Sequence, residues 1–539
     1  MLTKDVKRII ENIVIKYRKN FKTKQDPKKI FSVAMSSDAK SELLQNIKES
    51  MKEIKLIVDD INLWSDDKIE KEFKERGLEE KKVKRKKILV FPKLKNVVDG
   101  KVVTTFAPEP SKYPHIGHAI TCLINYKFAK MYSGKFYLRF EDTNPNLAKE
   151  EYYKAQLDGI NWLGIKPDKI IYASDYMDLI YEKSEFLIKN KSAYVCDCDS
   201  KTVRNLREKR LECKCRSNSV DKNLELWKKM LLGKFETGEV SLRLMGDMKS
   251  HRAEFRDPVL MRINKAKHPR VGNKYFVWPT YLMQNTILDC VTGVTHRFRS
   301  KEFEVWHVVQ IYLAKKLGYE YPEVFEYARV NLVGGQASGR KLREQVIEGN
   351  LSWDDPSLTS LVALKRRGFL PEAIIEFVEK IGVSKTESTV EWSVLESINR
   401  KYFASKNLNK IASFENPVKV KVLDENKVLE KDLNEVYIDA NTEFNKEYKL
   451  RHVGNVIRKN NSLIAVGNEQ KKGLNMLPFA QNIFEVKVLM PSLKNKETKL
   501  YVDADLYKTL KTGDVVYLER FAYCRLDSKE KNTFVFTHK

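Results

Sequence analysis

The stretch PEPSKYPHIGHA, residues 108–119, decides the fold of this chain. Two histidines, His115 and His118, lie three positions apart around an Ile-Gly pair, soon after a Pro-Glu-Pro turn. The preceding residues KVVTTFA (101–107) have the pattern of a short buried strand. The residues from His115 onward, HIGHAITCLINYKFAKMY, have helical periodicity. We therefore predict a strand, a turn and a helix that begins at about His115.

A second strand is expected directly after this helix, at GKFYLRFED (134–142). Strand, helix and strand in this order form a right-handed parallel unit. Such a unit begins a nucleotide-binding doubly wound sheet, in which ligands bind at the carboxyl ends of the strands. The segment YLRFEDTNP (137–145) ends the second strand at that edge. A mixed α/β pattern continues to about residue 330, so we expect a Rossmann-like α/β domain.

The histidine pair has the features of an ATP site. At positions i and i+3, His115 and His118 share one face of the first helical turn. That turn has free backbone N–H groups and the positive end of the helix dipole, and Gly117 lets a planar ring lie close to the backbone. The histidines can donate hydrogen bonds to phosphate oxygens whose charge rises during an in-line displacement. The alternatives are that the pair is incidental or binds a metal, although a metal pair more commonly uses i, i+4 spacing and needs a third ligand.

Other parts of the chain have different patterns, as 539 residues allow for several domains. Residues 1 to about 78 are strongly helical, and the basic run 81–87 is typical of a solvated linker. Helices dominate from about 350 to 410. After about 415 the hydrophobic period becomes two, in segments such as PVKVKVL and TFVFTHK. This last pattern predicts an all-β region of the barrel type.

The formal net charge of +26 indicates a polyanionic partner, with nucleic acid first among the classes. A general lysine-rich bias of the proteome would give the same charge. No apolar run reaches the roughly 18 residues of a membrane span, and the N-terminus has no signal-peptide pattern. We therefore expect a cytoplasmic protein that binds no membrane.

Four of the seven cysteines form two Cys-x-Cys pairs. Cys196 and Cys198 are separated by fourteen residues from Cys213 and Cys215. A disulfide framework is unexpected in the cytosol. The two pairs can supply four thiolates to one tetrahedral Zn²⁺, so we predict a structural zinc site, with four free thiols as the alternative.

Six segments carry a resemblance to a known family. They are FAPEPSKYPHIGHA (106–119), YLRFEDTNP (137–145), VWPTY (277–281), GVTHRFRSKEFE (293–304), WDDPSLTSLVALKRRGF (353–369) and GDVVYLERFAYCRLD (513–527). Together they resemble the glutamyl/glutaminyl group of class I aminoacyl-tRNA synthetases, in the archaeal/eukaryotic order. The resemblance covers about 100 to 539 and is weaker in the helical N-terminus.

The resemblance implies a multidomain protein: a Rossmann-like catalytic domain, a helical N-terminal region and C-terminal all-β barrels. We expect the catalytic domain in two halves, separated by an insertion that binds the tRNA acceptor stem and carries the zinc site. The expected boundaries are 1–80 for the helical region, 81–100 for the linker, 101–195 and 271–345 for the catalytic halves, 196–270 for the insertion, 346–414 for a helical connector and 415–539 for the anticodon-binding barrels. Basic residues expected at the acceptor stem are Arg207, Lys209, Arg210, Lys214 and Arg216.

The implied activity is ATP-dependent attachment of glutamate to tRNA(Glu). Glutamyl-adenylate forms first and is then transferred to the tRNA 3′ end, with Mg²⁺ accompanying ATP. The partners are tRNA(Glu), glutamate and ATP, and no DNA is expected. The alternatives are a tRNA-binding paralogue with weak or no ligase activity, a glutaminyl-tRNA synthetase, or another nucleotidyltransferase of the HIGH superfamily. The C-terminal β segments argue against the last, because they resemble a tRNA reader.

Site residues also follow from the resemblance. His115 and His118 match the histidines of the ATP site. Glu141 falls where an acidic residue receives the substrate amino group, with a salt-bridged surface residue as the alternative. Tyr281 matches a tyrosine of the amino-acid pocket, with a core aromatic as the alternative.

One position separates the two substrates. At Arg299 this chain resembles the glutamyl enzymes, which have an arginine at this point of the segment. Glutaminyl enzymes have a smaller neutral residue there. A guanidinium pairs with a side-chain carboxylate but has no acceptor for an amide, so Arg299 favours glutamate. Arg297 beside it is expected to be solvated or to contact tRNA.

Three departures from the family pattern concern the catalytic machinery. Thr105 replaces an arginine that helps to hold the substrate carboxylate. The second ATP loop reads ASGRKL (337–342), so Gly339 replaces the lysine that contacts phosphates. Arg340 and Lys341 follow at once and are the candidate catalytic replacements. Leu282 and Met283 follow VWPTY where an acidic residue and Phe are usual. The remaining ATP-binding candidates are Pro108, Gly117, Ser338 and Gly339.

Overall fold

A computed structural model describes residues 2–21, 25–35, 39–78, 92–334, 339–406, 408–492 and 497–539. Ser338 and most of the predicted basic linker lie outside these residues. The chain forms two compact units, Met1–Ile88 and Leu89–Lys539. Within the described residues, no helix is both long enough and apolar enough to cross a membrane.

The first unit is helical, as its sequence pattern predicts. Ile10 and Val14 of the first helix are fully buried, and Ile30, Ile54 and Val58 complete the middle of its core. Each of these helices therefore packs an apolar face against its neighbours. The helices are Lys4–Phe21, Pro27–Ala34, Lys40–Leu43, Ile47–Asn62 and Asp66–Glu75.

The second unit begins with the predicted parallel sheet. Its strands are Val103–Phe106, Lys135–Phe140 and Lys169–Tyr172, with Lys135–Phe140 in the middle. A second parallel pair, His296–Ser300 with Glu323–Tyr327, adjoins the first strand. The contact is made where the Thr295 amide donates to the Val103 carbonyl at 3.0 Å.

The helix Ile116–Met131, named here the HIGH helix, connects the first two strands. Leu123, Ile124, Phe128 and Ala129 are almost fully buried, and Phe128 stacks on Phe298 of the adjoining strand pair with ring centroids 4.3 Å apart. A helix that is apolar on more than one face is buried in a core. Its first turn is therefore fixed rigidly at the carboxyl edge of the sheet.

A four-stranded antiparallel sheet interrupts the parallel one. Its strands are Ala193–Cys196, Ser241–Leu244, Val259–Ile263 and Val277–Pro279, in that order. The helices Ser200–Lys209 and Val220–Leu231 lie between its first two strands in sequence. Trp227 and Trp278 are among the largest fully buried side chains here. The sheet therefore has a core of its own.

Helices occupy most of the remaining α/β part. They are Glu150–Trp162, Met177–Lys189, Tyr281–Val291, Glu304–Lys316, Gly339–Glu348, Leu361–Arg366, Pro371–Ile381 and Trp392–Ser405. A short parallel pair is formed by the strands Val330–Val333 and Ser388–Glu391, and the second strand leads directly into the helix Trp392–Ser405.

The C-terminal region consists of two β-sheets that each return to their own starting edge. In one, Lys410–Ile411 pairs with Val515–Leu518 while Ser413–Phe414 pairs with Glu497–Asp503, so one segment supplies both edges. This sheet also contains Ile483–Leu489, Ala522–Ser528 and Thr533–His538, and the helix Ala504–Thr509 follows its strand Glu497–Asp503.

The other sheet closes in a comparable way. Asn475–Met476 pairs with Glu447–Leu450, and Ala480, four residues later, bridges to Tyr437 of Glu435–Asp439. Its other strands are Pro417–Leu423, Gly454–Lys459 and Ser462–Gly467. Edge strands that pair with the same short segment produce a barrel-like curvature. The predicted fold class, α/β with a helical N-terminal region and C-terminal β-barrels, is confirmed.

Candidate active site

A cavity of about 430 Å³ opens at the carboxyl edge of the parallel sheet. It lies where the first strand passes into Ala107 and Pro108 and where the second passes into Glu141. This is the edge at which doubly wound sheets bind ligands. Predicted site residues that line the cavity are Pro108, His118, Glu141, Tyr281 and Arg299.

The two histidine rings are in contact at the N-terminus of the HIGH helix, with ring centroids 4.1 Å apart. His115 Nδ1 accepts the Gly117 N–H at 3.0 Å, and His118 Nδ1 accepts the His115 N–H at 3.3 Å. Since each Nδ1 is an acceptor, we assign the proton of each neutral ring to Nε2. Each histidine therefore keeps one donor for a ligand.

Both rings are held neutral. Burial, followed by the charges of Lys112 and Arg329, lowers the pKa of His115 to about 3. Burial, followed by His115 and Lys112, places the pKa of His118 well below its ordinary value. A buried imidazole near cations loses its charged form first. At neutral pH the pair consequently carries N–H dipoles and no net charge.

The expectation of free backbone N–H groups in the first helical turn is wrong. Ile116 N–H donates to the Thr359 carbonyl at 3.2 Å, and Gly117 N–H is taken by His115. The helix N-terminus is thus capped from within the protein. The histidine Nε2–H groups replace the backbone as donors.

Glu141 lies in the cavity wall with 11% of its side chain exposed. Its Oε1 accepts from Arg139 Nε and Nη2 at 3.0 and 2.8 Å, and its Oε2 accepts from Asn285 at 2.7 Å and from Gln284. Arg139 is shared with Asp289, 2.7 Å from Nη1. Burial raises the pKa of Glu141, although the Arg139 and Arg297 charges oppose this. The carboxylate is fixed in position by these partners.

Arg297, which was expected to be solvated or to contact tRNA, is instead a buried residue of the cavity wall. It is 6% exposed and lines the cavity. Its Nη1 donates to the Thr105 carbonyl at 3.0 Å and its Nη2 to Asn285 Oδ1 at 3.1 Å, while Nε lies 3.5 Å from Asp289. A positive charge is therefore present beside Thr105.

Arg299 and Tyr281 complete the wall. Arg299 is 4% exposed and donates to Gln310 Oε1 at 2.5 Å and to Glu326 Oε1 at 3.0 Å. The ring of Tyr281 stacks on Phe303 with centroids 4.8 Å apart, and burial raises the pKa of its hydroxyl. Both side chains are thus held in place before any ligand arrives.

The structure does not bring Arg340 or Lys341 to the cavity. Gly339 is buried and begins the helix Gly339–Glu348, whereas the Arg340 side chain is 90% exposed and pairs with Glu344 at 3.0 Å. Lys341 is also exposed. Successive helical residues turn by about 100°, so positions 340 and 341 leave the face on which Gly339 and Leu342 are buried.

Lys112 is a site residue that the sequence analysis did not single out. It stands three positions before His115, within the stretch 108–119 itself. Its side chain lies against Gly339, where an added Cβ would be 2.5 Å from Lys112 Cε, and its charge acts on both histidines. Burial lowers the pKa of its ammonium, an effect that Glu109 opposes and Arg343 reinforces. The sequence does contain one indication of this role, namely a lysine three residues before the first histidine of the pair.

The four predicted cysteines converge within the insertion. All four Sγ atoms lie within 4.8 Å of one another, with Cys196–Cys213 at 3.9 Å and Cys198–Cys215 at 3.5 Å. Four thiolates bound to one tetrahedral Zn²⁺ at 2.3 Å would lie about 3.8 Å apart. The cluster is compatible with a zinc site.

The comparisons with known proteins agree with this architecture. Residues 101–405 match the family described as tRNA synthetases class I (E and Q), catalytic domain. A protein of Nitrosopumilus maritimus named glutamate–tRNA ligase is 36% identical over 93% of this chain and 94% of its own length. A protein of the same name from Methanocaldococcus jannaschii is 34% identical over 95% and 96%.

The sheet, the histidine pair and these relatives define a nucleotide-binding catalytic domain of the class I type. The chain belongs to the glutamate/glutamine group of class I tRNA synthetases, which confirms the resemblance found in the sequence. Among solved structures, a glutamate tRNA ligase from Elizabethkingia meningosepticum shares 19% identity over 57% of this chain and 70% of its own, with a TM-score of 0.42.

Proposed function

We propose that this chain is a ligase that attaches glutamate to tRNA(Glu) in two steps. The observation that carries the proposal is the charge pattern of the cavity, whose lining includes three arginines, Arg262, Arg297 and Arg299, and two carboxylates, Glu109 and Glu141. Glutamate has two carboxylates and one ammonium group. The cavity thus offers an arginine for each carboxylate of glutamate and a carboxylate for its ammonium group.

In the first step, an α-carboxylate oxygen attacks the α-phosphorus of ATP and the bond to the bridging oxygen breaks. Pyrophosphate leaves with the electron pair. We assign the α-carboxylate to Arg297, the side-chain carboxylate to Arg299 and the ammonium group to Glu141. His115 and His118 donate Nε2–H hydrogen bonds to phosphate oxygens as their charge rises. Pro108 and Gly117 would bring the backbone close to the nucleotide, and a Mg²⁺ that accompanies ATP would offset part of the phosphate charge.

In the second step, a hydroxyl of the tRNA 3′-terminal ribose attacks the carbonyl carbon of the adenylate and AMP leaves. The preference for glutamate over glutamine follows from Arg299. Its guanidinium pairs with a carboxylate, whereas an amide would place its NH₂ donors against a group that has no acceptor. The pocket would leave that amide unpaired, at a cost of about 1–3 kcal/mol.

We assign tRNA binding to the insertion and to the C-terminal barrels. A Zn²⁺ held by Cys196, Cys198, Cys213 and Cys215 would fix the acceptor-stem insertion (196–270), and the barrels (415–539) would bind the anticodon. Among the basic residues expected at the acceptor stem, Lys209, Arg210 and Lys214 are exposed. Arg216 is engaged instead by Asp257 at 2.5 Å and by the Gly246 carbonyl at 3.0 Å, so its role is internal.

The proposal is tested by aminoacylation of total tRNA with radiolabelled glutamate and, in parallel, glutamine. A chain that charges tRNA with glutamate and not with glutamine supports it. A chain that binds tRNA but charges it with neither amino acid would be the tRNA-binding paralogue. Charging with glutamine alone would place it with the glutaminyl enzymes.

A further inference from the structure

Gly339 stands where the family resemblance places a phosphate-contacting lysine, and its surroundings explain the loss. A Cβ atom added at Gly339 would lie 2.5 Å from Lys112 Cε and 2.7 Å from His115 Nε2. Real Cβ atoms do not approach other atoms so closely. The space in which a side chain at position 339 would begin is already filled by the Lys112 chain.

Lys112 brings a positive charge to this point. Its Nζ donates to Ser111 Oγ at 3.3 Å, and Ser111 in turn donates to Glu109 at 2.7 Å. Lys112 makes no ion pair with any carboxylate in the described part of the chain. An ammonium that is half-buried and lacks a direct counter-ion is poised for an anionic ligand.

The neighbouring charges favour a ligand with several negative charges. Lys112 and Arg329 both act on His115, and Arg343 acts on Lys112. Arg343 lies on the helix that begins at Gly339. Arg329 is paired with Glu302, so Lys112 and Arg343 supply the positive charge that a polyphosphate would meet beside the neutral histidine pair.

We propose that Lys112 is the cation that contacts the phosphates of ATP in this chain, in place of the lysine missing at position 339. This rests on the proposed function of the site. As the α-phosphorus is attacked and pyrophosphate leaves, negative charge builds on the phosphate oxygens. The Lys112 ammonium donates hydrogen bonds to them and transfers no proton.

The first test is ATP–pyrophosphate exchange with glutamate and tRNA present, because relatives of the glutamyl type need tRNA to activate the amino acid. Lys112→Met keeps most of the length of the side chain and removes its charged ammonium group. We expect it to lower the exchange rate by about ten-fold to a thousand-fold. Lys112→Arg should retain more activity, and the control Lys315→Met, at an exposed lysine outside the site, should remain within about three-fold of the unmutated chain. Thermal unfolding of each variant checks that it folds.

The second test exchanges the two positions. Lys112→Gly alone should lower the exchange rate. The double variant Lys112→Gly, Gly339→Lys should exchange at least about ten-fold faster than Lys112→Gly, because the emptied space accepts the new side chain. Gly339→Lys alone should be impaired, since Lys112 and His115 block it. A merely structural role of Lys112 would not produce this rescue.

The third test separates this inference from the proposed function. Lys112→Met should weaken ATP binding at least ten-fold and leave adenosine binding unchanged, whether or not the chain activates glutamate. If the unmutated chain binds ATP but shows no exchange, the proposed function fails and the binding comparison still decides on Lys112. If the unmutated chain is active, an exchange rate of Lys112→Met within three-fold of it overturns the inference. If the unmutated chain is inactive, equal ATP affinities of the two proteins overturn it.

Discussion

The Arg297 guanidinium donates a 3.0 Å hydrogen bond to the main-chain carbonyl of Thr105. Thr105 stands where the family resemblance places an arginine that holds the substrate carboxylate. The two residues lie on adjoining strands, and both line the same cavity. The cavity therefore has an arginine beside position 105 although the residue at that position is neutral.

Replacement of Arg297 by Met is expected to raise the KM for glutamate by about 10- to 100-fold, because a charge-assisted hydrogen bond is worth roughly 1.5–3 kcal/mol. The KM for ATP should change little, which serves as the internal control. Steady-state exchange kinetics over a range of glutamate concentrations give both constants. Adding Thr105→Arg to the variant should restore part of the glutamate affinity. An unchanged glutamate KM would remove Arg297 from the substrate site.

The chain's stability should depend on pH through His115. Its pKa is about 3 in the folded chain, below the ordinary value of 6.5, so the unfolded state binds the proton first as pH falls. The stabilisation is complete above pH 6.5 and is lost progressively toward pH 3. At pH 5 the loss amounts to about 2 kcal/mol.

His115→Asn keeps a residue that caps helices well but does not titrate in this range. Urea unfolding at pH 7.5 and 5.0 should therefore show a smaller difference for His115→Asn than for the unmutated chain. The matched control is His251→Asn, at an exposed histidine. Equal pH differences in all three proteins would contradict a buried neutral His115.

The cysteine cluster predicts about one Zn²⁺ per chain after purification without added metal. Elemental analysis measures the stoichiometry directly. Cys198→Ser should reduce it strongly, whereas Cys290→Ser, outside the cluster, should not. A zinc-free protein in which all four cluster thiols titrate freely would refute the assignment.

Binding of tRNA should weaken steeply with salt, because a chain of net charge +26 releases counterions from the phosphates that it contacts. Raising the salt from about 50 to 200 mM should weaken the affinity by about a hundred-fold or more. Filter binding with total tRNA at several salt concentrations gives the slope. An affinity that is constant over this range would show that the charge serves another purpose.

Much of this architecture was predictable because it depends on local pattern. The strand before Pro108, the HIGH helix and the second strand follow from residue periodicity and a proline-rich turn. The convergence of the four cysteines follows from their spacing alone. The barrels follow from a period of two, although the short segments that close each sheet could not be located, since pairing partners distant in sequence leave no local signal.

The electrostatics of the site were not predictable in the same way. Arg297 was expected to be solvated because its partners, Asn285 and Asp289, come from a helix whose position the sequence does not reveal. Lys112 is adjacent to the histidines in sequence, but its relation to Gly339 depends on a helix more than 200 residues further along. The capping of the HIGH helix by His115 similarly depends on a side-chain rotamer.

We propose that the chain is an active glutamate-specific ligase despite Thr105 and Gly339, because Arg297 and Lys112 supply the charges that those positions lack. The measurement that tests it most directly is aminoacylation of total tRNA by the unmutated chain and by the Lys112→Met and Arg297→Met variants. We expect robust charging with glutamate by the unmutated chain, none with glutamine, and a large loss of rate at low glutamate concentration in both variants. Charging with glutamate that is equally fast in all three proteins would contradict it.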